Sequence, residues 1–327
     1  MTAAPSFADV RAAADRIHAE AVRTPLLPVT LPSGGLAFVK CENLQRTGSF
    51  KFRGAFNRLS MIPPEARAAG VVACSSGNHA QGVAEAARIL GMPATIVMPK
   101  DAPATKVRRT RGFGAEVVLY DRHTEDREAI ANAIAARTGA TFVHPFDDAG
   151  VIAGQGTIGL EIAEDCAQRG LKPDAVLVCT SGGGLVAGIA TALAELSPET
   201  AVHTVEPAGF DDYARSLAAG ERLRNASLGG SVCDALMSNV PGAISFSVGT
   251  RRLSPGVVVT DDEALAAVAF AARELKLVVE PGGAVALAAL LSGKVETAGR
   301  IVVAVLSGGN VDDAMLARAL ALTAPDA

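Results

Sequence analysis

The feature that most constrains this fold is a repeated grammar of short apolar runs, each followed by a helical stretch. Three of the runs end in turns built from Ser, Thr, Gly and Asn. Val71 to Cys74 leads into Ser75-Ser76-Gly77-Asn78-His79. Ala175 to Cys179 leads into Thr180-Ser181-Gly182-Gly183-Gly184-Leu185. Ile301 to Leu306 leads into Ser307-Gly308-Gly309-Asn310. Strands joined through helices pair in parallel, and parallel sheets are covered on both faces, which accounts for the Val/Ile/Leu-rich runs. The class is therefore α/β, with parallel-rich sheets flanked by helices. Ligands of such sheets bind past the carboxyl ends of the strands, where all three turns fall.

The same reading predicts further strands at Leu36 to Lys40, Ala94 to Met98, Glu116 to Tyr120, Thr141 to His144 and Val202 to Val205. Ser6 followed by Asp9 reads as a capping box opening a helix through Ile17 and Val22. Other helices are expected at Phe52 to Leu59, Thr124 to Arg137, Gly154 to Cys166 and Asp261 to Glu274. A chain of 327 residues exceeds the usual size of one core. Two lobes are expected: residues 1–65 with 150–327 as a large domain, and 66–149 as a small mobile domain.

Composition narrows the function classes. The net charge of −4 argues against a nucleic-acid surface. The longest apolar runs, such as Ala284 to Leu291, are too short to span a membrane. The first turns carry Asp9, Arg11, Asp15 and Arg16, unlike a signal-peptide core. Five scattered cysteines with no C-x-x-C pair suit a reducing compartment. A cytoplasmic protein acting on a small molecule is the expectation.

Several side chains then stand out. Lys51 lies between Phe50 and Phe52. Flanking rings would desolvate its ammonium and ease its deprotonation, and a free amine can form a Schiff base with an aldehyde. A helix or strand start with a solvated lysine would read the same way. The Ser75–His79 turn suits a carboxylate, and equally an ordinary helix N-cap. The 181–184 glycine run can converge backbone N–H groups on a phosphate, although it matches neither G-x-x-x-x-G-K-[ST] nor G-x-G-x-x-G. Ser307 could bond a ring nitrogen, and Glu280, before Pro281-Gly282-Gly283, could reach the same cleft. Glu206 and Asp211-Asp212 offer hard oxygen ligands for magnesium, manganese or calcium, or form a solvated acidic loop. Arg127 sits on a mixed-charge helix, where a surface ion pair with Glu128 is the plain expectation. The five histidines are not at metal-ligand spacing.

In order, S-F-K-F-R-G-A, S-S-G-N-H, H-P-F-D-D, V-I-A-G-Q-G-T-I-G-L-E, S-G-G-G-L, V-E-P and L-S-G-G-N-V-D are far more specific together. From Phe7 to Asp312 the chain resembles the threonine/serine dehydratase, serine racemase and hydroxyaspartate dehydratase group. These are pyridoxal-phosphate enzymes of fold type II, the two-lobed tryptophan-synthase β-like fold. The resemblance implies pyridoxal 5'-phosphate bound in the large domain. Lys51 would be its Schiff-base lysine and the base for the α-proton. Phe50 would pack on its ring, Asn78 would bond its phenolic oxygen, and Ser307 would face its ring nitrogen. Ser181, Gly182, Gly183, Gly184 and Leu185 would hold its phosphate, with Glu280 close by. Ser75, Ser76, Asn78 and His79 would hold the substrate carboxylate. Glu206, the Phe210 carbonyl and Asp212 would hold Mg2+ (or Mn2+/Ca2+). A homodimer or homotetramer is implied as well.

The implied reaction is dehydration and deamination of a β-hydroxy amino acid: 3-hydroxyaspartate, L-threonine or L-serine. Arg127 falls where one branch carries an arginine for a substrate's distal carboxylate, which would favour 3-hydroxyaspartate. Ser76 falls where the racemases place an acid/base opposite the lysine, so racemisation of serine or an aspartate-type substrate is the alternative. A β-replacement transferase of the cysteine synthase type shares the fold, and the V-E-P and S-F-K-F-R-G-A segments lean away from it.

Overall fold

The computed structural model describes residues 3–31, 35–75, 77–102, 104–227 and 229–322. Among these, ten strands form two sheets. They are β1 (Leu26–Thr30), β2 (Leu36–Cys41), β3 (Val71–Cys74), β4 (Ala94–Pro99), β5 (Glu116–Tyr120), β6 (Thr141–Phe142), β7 (Ala175–Cys179), β8 (Ala201–Pro207), β9 (Ser254–Val259) and β10 (Ile301–Leu306). The helices that position the site are α1 (Phe7–Ile17), α2 (Lys51–Ser60), α3 (Asn78–Ile89), α4 (Ala104–Gly112), α5 (Arg127–Thr138), α6 (Ala149–Gln168), α7 (Gly184–Leu196) and α8 (Asp212–Ala219).

The larger sheet has the order β1-β2-β10-β7-β8-β9, and the smaller one β5-β4-β3-β6. Every neighbouring pair is parallel except β1 with β2. All five residues of β7 are buried, as a strand covered on both faces requires. Each sheet has a point where the chain's direction of travel reverses. In the smaller sheet the chain leaves β3 for β4 and β5, then returns to β6 on the other side of β3. In the larger sheet β7 leads outward to β8 and β9, while β10 comes back to lie at its other edge. A crevice opens at such a reversal, beyond the strand ends. The turns after β3, β6, β7 and β10 all meet there.

Anchoring of α2 decides where Lys51 points. Two residues on, Arg53 is fully buried and its guanidinium spans Glu42 (2.8 Å) and Glu161 (2.7 Å). Lys40 joins the cluster through Glu161 (2.6 Å). A buried guanidinium needs this full set of acceptors to offset its desolvation. Gly54 then meets Gly154 of α6, where any Cβ on Gly154 would come within 2.6 Å of the Gly54 Cα. The pair lets α2 and α6 cross with backbones almost touching.

Several elements differ from the sequence-based reading. The Ser6–Asp9 capping box forms, and α1 ends at Ile17, five residues before Val22. Helix α6 begins at Ala149, capped by Asp148, instead of Gly154. Its glycines lower helix propensity but are needed for close packing, so tertiary contact overrides the local signal. Helix α5 begins at Arg127, three residues after Thr124, because Asp126 caps it. Strands β1 and β9 escape the sequence reading because Pro28 and Pro255 interrupt them; both lie at sheet edges, where proline is tolerated.

Candidate active site

Lys51 is the first residue of α2, and the chain just before it is stitched to the turn after β10. Ser49 bridges Gly308, and the Phe50 N–H donates to the Ser307 carbonyl (3.1 Å). This delivers the Lys51 amine to the floor of a cleft of about 820 Å3 between the two sheets. Nζ donates to the Pro145 carbonyl (2.7 Å), and burial lowers its pKa to about 8. Among the described residues one ring, that of Phe50, faces the amine. Phe50 lies 5.1 Å from Nζ, whereas Phe52 turns inward and stacks on Phe56. Two rings in sequence therefore do not sandwich the lysine, since adjacent helical residues point about 100° apart. Its depressed pKa comes from desolvation in the cleft.

Opposite the lysine, the turn after β7 forms a cradle at the N-terminus of α7. Gly183 adopts φ +89°, and a Cβ there would lie 2.1 Å from the Tyr213 ring. A Cβ on Gly182 would lie 2.3 Å from Phe146. A side chain at either position would force one of these rings to shift. The Gly182 carbonyl is turned outward to the Gly242 N–H (3.0 Å) and the Ser245 hydroxyl (2.6 Å). The first turn of a helix has N–H groups without intrahelical partners, and the helix dipole adds positive potential, so the cradle suits an anion. Ser181 and Leu185 border the cleft too, and the Ser181 hydroxyl is paired with Ser238 (2.7 Å).

The turn after β3 supplies the third wall. Ser75, Asn78 and His79 line it, while Ser76 lies outside the described residues. His79 Nε2 faces the Val143 carbonyl at 3.2 Å, and burial drives its pKa down to about 3. A neutral imidazole cannot balance a carboxylate with charge, so His79 could act there only through its backbone N–H. The Asn78 amide donates to Glu280 Oε1 (2.5 Å). Glu280 is buried, its other oxygen has no partner, and burial raises its pKa to about 7. Ser307 lines the cleft after β10.

Arg127 opens α5 and borders the outer cleft. Its neighbour Glu128 faces His144 (3.9 Å) instead of pairing with it. A cation at a helix N-terminus opposes the dipole, so its place there is not explained by helix stability.

Glu206 and Asp212 come together away from this cleft. Both are fully buried, and their mutual repulsion, after burial itself, raises Glu206 well above the carboxylate range. Glu206 accepts from the Tyr213 and Ala214 N–H groups (2.9 and 2.8 Å). Asp212 Oδ1 accepts from Asn225 (2.7 Å), Oδ2 has no partner, and its pKa is raised to about 6. Among the described residues no three His, Cys, Asp or Glu side chains form a metal cluster. Two buried acids with an orphan oxygen nevertheless fit a cation completed by a backbone carbonyl and water.

Sequence reasoning left out part of the cleft. Pro145 and Phe146, within the H-P-F-D-D segment, are the acceptor for Lys51 and the wall behind the glycines. Residues 234–239 line the cleft from a loop with no periodic signal, and Lys106 pairs with Asp234 across its mouth (2.5 Å).

A desolvated amine, a glycine-built anion cradle and a buried carboxyl with an unpartnered oxygen fit a phosphorylated aldehyde. Comparison with known proteins agrees. Residues 18–308 match the model of a family described as pyridoxal-phosphate dependent enzyme. The chain is 44% identical over 310 residues to L-threo-3-hydroxyaspartate ammonia-lyase from Pseudomonas sp, covering 94% of this chain and 96% of that one. It is 39% identical over 311 residues to serine racemase from Schizosaccharomyces pombe, covering 94% and 95%. The crystal structure of T.th. threonine deaminase superposes with a TM-score of 0.88 at 42% identity, covering 94% of this chain and 99% of that one. With a match over most of its length and relatives of this identity, the chain belongs to the pyridoxal-phosphate dependent enzyme family.

Proposed function

We propose that this protein is a pyridoxal-phosphate dependent lyase that removes water and ammonia from a β-hydroxy amino acid. The observation that carries the reading is the Lys51 amine, its pKa lowered to about 8, lining the same cleft as the Gly182–Gly184 turn at the start of α7. Relatives that are ammonia-lyases for 3-hydroxyaspartate and threonine support it. Lys51, Phe50, Asn78, Ser307 and the 181–185 turn would hold the cofactor, with Glu280 behind Asn78. When bound, pyridoxal phosphate supplies an aldehyde carbon for imine exchange and a conjugated ring that accepts electrons from the substrate's α-carbon.

The chain's own groups then do the following. Backbone N–H groups of the Ser75–His79 turn, at the start of α3, would hold the substrate carboxylate. The Lys51 amine, whose buried site favours the uncharged form more than water does, would take the proton from the α-carbon. The β-hydroxyl would leave as water, taking up a proton from the Lys51 ammonium so formed, as the C–O bond breaks and the α,β double bond forms. The released enamine tautomerises and hydrolyses to a 2-oxo acid and ammonia. Arg127 at the cleft's outer wall would pair with a distal carboxylate, which favours 3-hydroxyaspartate over threonine or serine. Loss of a charged bidentate contact costs about tenfold or more in kcat/KM. Arg127→Ala is therefore expected to lose about that factor on 3-hydroxyaspartate and little on threonine. Equal losses on both substrates would remove the clamp.

Racemisation is the second reading, supported by the identity to serine racemase. Scoring inverted substrate beside 2-oxo acid, on both enantiomers, separates the two. The Glu206, Phe210 and Asp212 oxygens are read as a Mg2+ site. Residues 66–149 are read as the mobile lobe, and a homodimer or homotetramer as the assembly. Five free, buried cysteines are read as suiting the reducing cytoplasm.

A further inference from the structure

A directed chain of hydrogen bonds runs from the surface of α4 into the cleft. Arg109 Nη1 donates to Asn310 Oδ1 (3.0 Å). Asn310 Nδ2 donates to the Thr47 carbonyl (2.8 Å) and to Asn78 Oδ1 (2.8 Å). Asn78 Nδ2 donates in turn to Glu280 Oε1 (2.5 Å). An arginine can only donate, and a backbone carbonyl can only accept. Asn310 is therefore held by both ends, oxygen to Arg109 and nitrogen to Thr47. Its second amide hydrogen needs an acceptor, which must be the oxygen of Asn78. The Asn78 nitrogen is left to face Glu280 and the cleft. Among the described residues of the Ser75–His79 turn, none bonds the Asn78 side chain.

The backbone is shaped around this chain. Thr47 has φ 64°, one of two non-glycine residues in the left-handed region among the described residues. A Cβ on Gly48 would lie 2.8 Å from Asn310 Oδ1. Strain of this kind persists where surrounding structure over-determines it, here four residues before Lys51. The chain also bridges the two sheets. Arg109 rides on α4, packed with the smaller sheet, whereas Asn310 follows β10 of the larger one. Lys106, one turn earlier on the same helix, makes the second tether, to Asp234.

We propose that Arg109 is a positioning residue: through Asn310 it orients the Asn78 amide as a donor toward the cofactor, and only while α4 is docked against the turn after β10. The docking of the smaller sheet and the binding of the cofactor are thereby coupled. The proposal rests on the pyridoxal-phosphate reading above.

The test measures affinity of the purified apo chain for pyridoxal 5'-phosphate, the visible absorption of the bound cofactor across pH, and thermal unfolding of the apo chain. Loss of one charge-assisted hydrogen bond corresponds to about three- to tenfold weaker cofactor binding for Arg109→Ala. An altered pH titration of the absorption and partial recovery in Arg109→Lys are expected with it. Asn310→Asp keeps an acceptor for Arg109 but loses both donations, so it should weaken cofactor binding at least as much. Adding Arg109→Ala to Asn310→Asp should then cost little more, because the two act in series. Unchanged affinity and absorption in Arg109→Ala, or a lowered unfolding temperature as its only effect, overturns the proposal. So does full additivity of the two substitutions. Failure of the cofactor reading itself looks different: wild type would take up no cofactor, or Lys51→Ala would leave the absorption unchanged.

Discussion

Single residues at this site are chosen by what surrounds them in space. Gly183 illustrates the point, combining a left-handed φ of +89° with a Tyr213 ring where a side chain would begin. Gly183→Ala should destabilise the protein by about 2–4 kcal/mol, from the left-handed penalty plus overpacking. It should also weaken cofactor binding by distorting the anion cradle. Denaturant unfolding with and without pyridoxal phosphate measures both, and a stable variant of normal affinity would contradict the reading. Lys51 shows the same dependence. Its string marks a candidate amine anchor, yet the sandwich of rings suggested by the string is absent, and the pKa near 8 comes from the cleft. His79, within a legible turn, is kept neutral by burial that no local pattern announces.

Elements carry their own strain and their own anchors. The segment Ala271–Leu275 after the Asp261–Phe270 helix winds as a π-turn and ends at Lys276 with φ 59°. Left-handed termination of a helix is usually left to glycine, because it lacks the Cβ clash. Lys276→Gly is expected to stabilise the protein by about 0.5–1 kcal/mol, read as a raised unfolding midpoint. No gain, or a loss, would mean that the lysine side chain contributes more than its backbone costs. Helix α2 shows anchoring instead. Its start is held by the Ser49–Gly308 bridge and the Arg53 cluster, and both reach partners far away in sequence. Helix boundaries were legible where a cap was local, as at Ser6. They were not legible where glycine served packing, as at α6, or where edge strands tolerate proline, as at β1 and β9.

At the scale of the whole molecule, buried carboxylates make stability depend on pH. Glu206, Asp212 and Glu280 all bind a proton more tightly when folded than when unfolded. The stability this contributes is fully present below the ordinary carboxylate pKa. It is lost as pH rises through their folded values, about 6 for Asp212 and about 7 for Glu280. A divalent cation at the proposed Glu206 and Asp212 site would oppose that loss only where those acids would otherwise ionise. Magnesium is therefore expected to raise the unfolding temperature more at pH 8 than at pH 5, and Asp212→Asn should abolish the difference. An equal effect at both pH values would rule out this site. Sequence alone determined the α/β class, the Ser/Gly/Asn turns that border the cleft and the family resemblance, because parallel strands, helix starts and glycine-rich turns obey local periodicity and composition. Tertiary structure decided which turns share a cleft, which ring meets Lys51, how the Asn78 amide is turned and where 234–239 closes the wall. Those outcomes depend on strand order and on partners hundreds of residues apart in the chain, and local patterns carry no record of either.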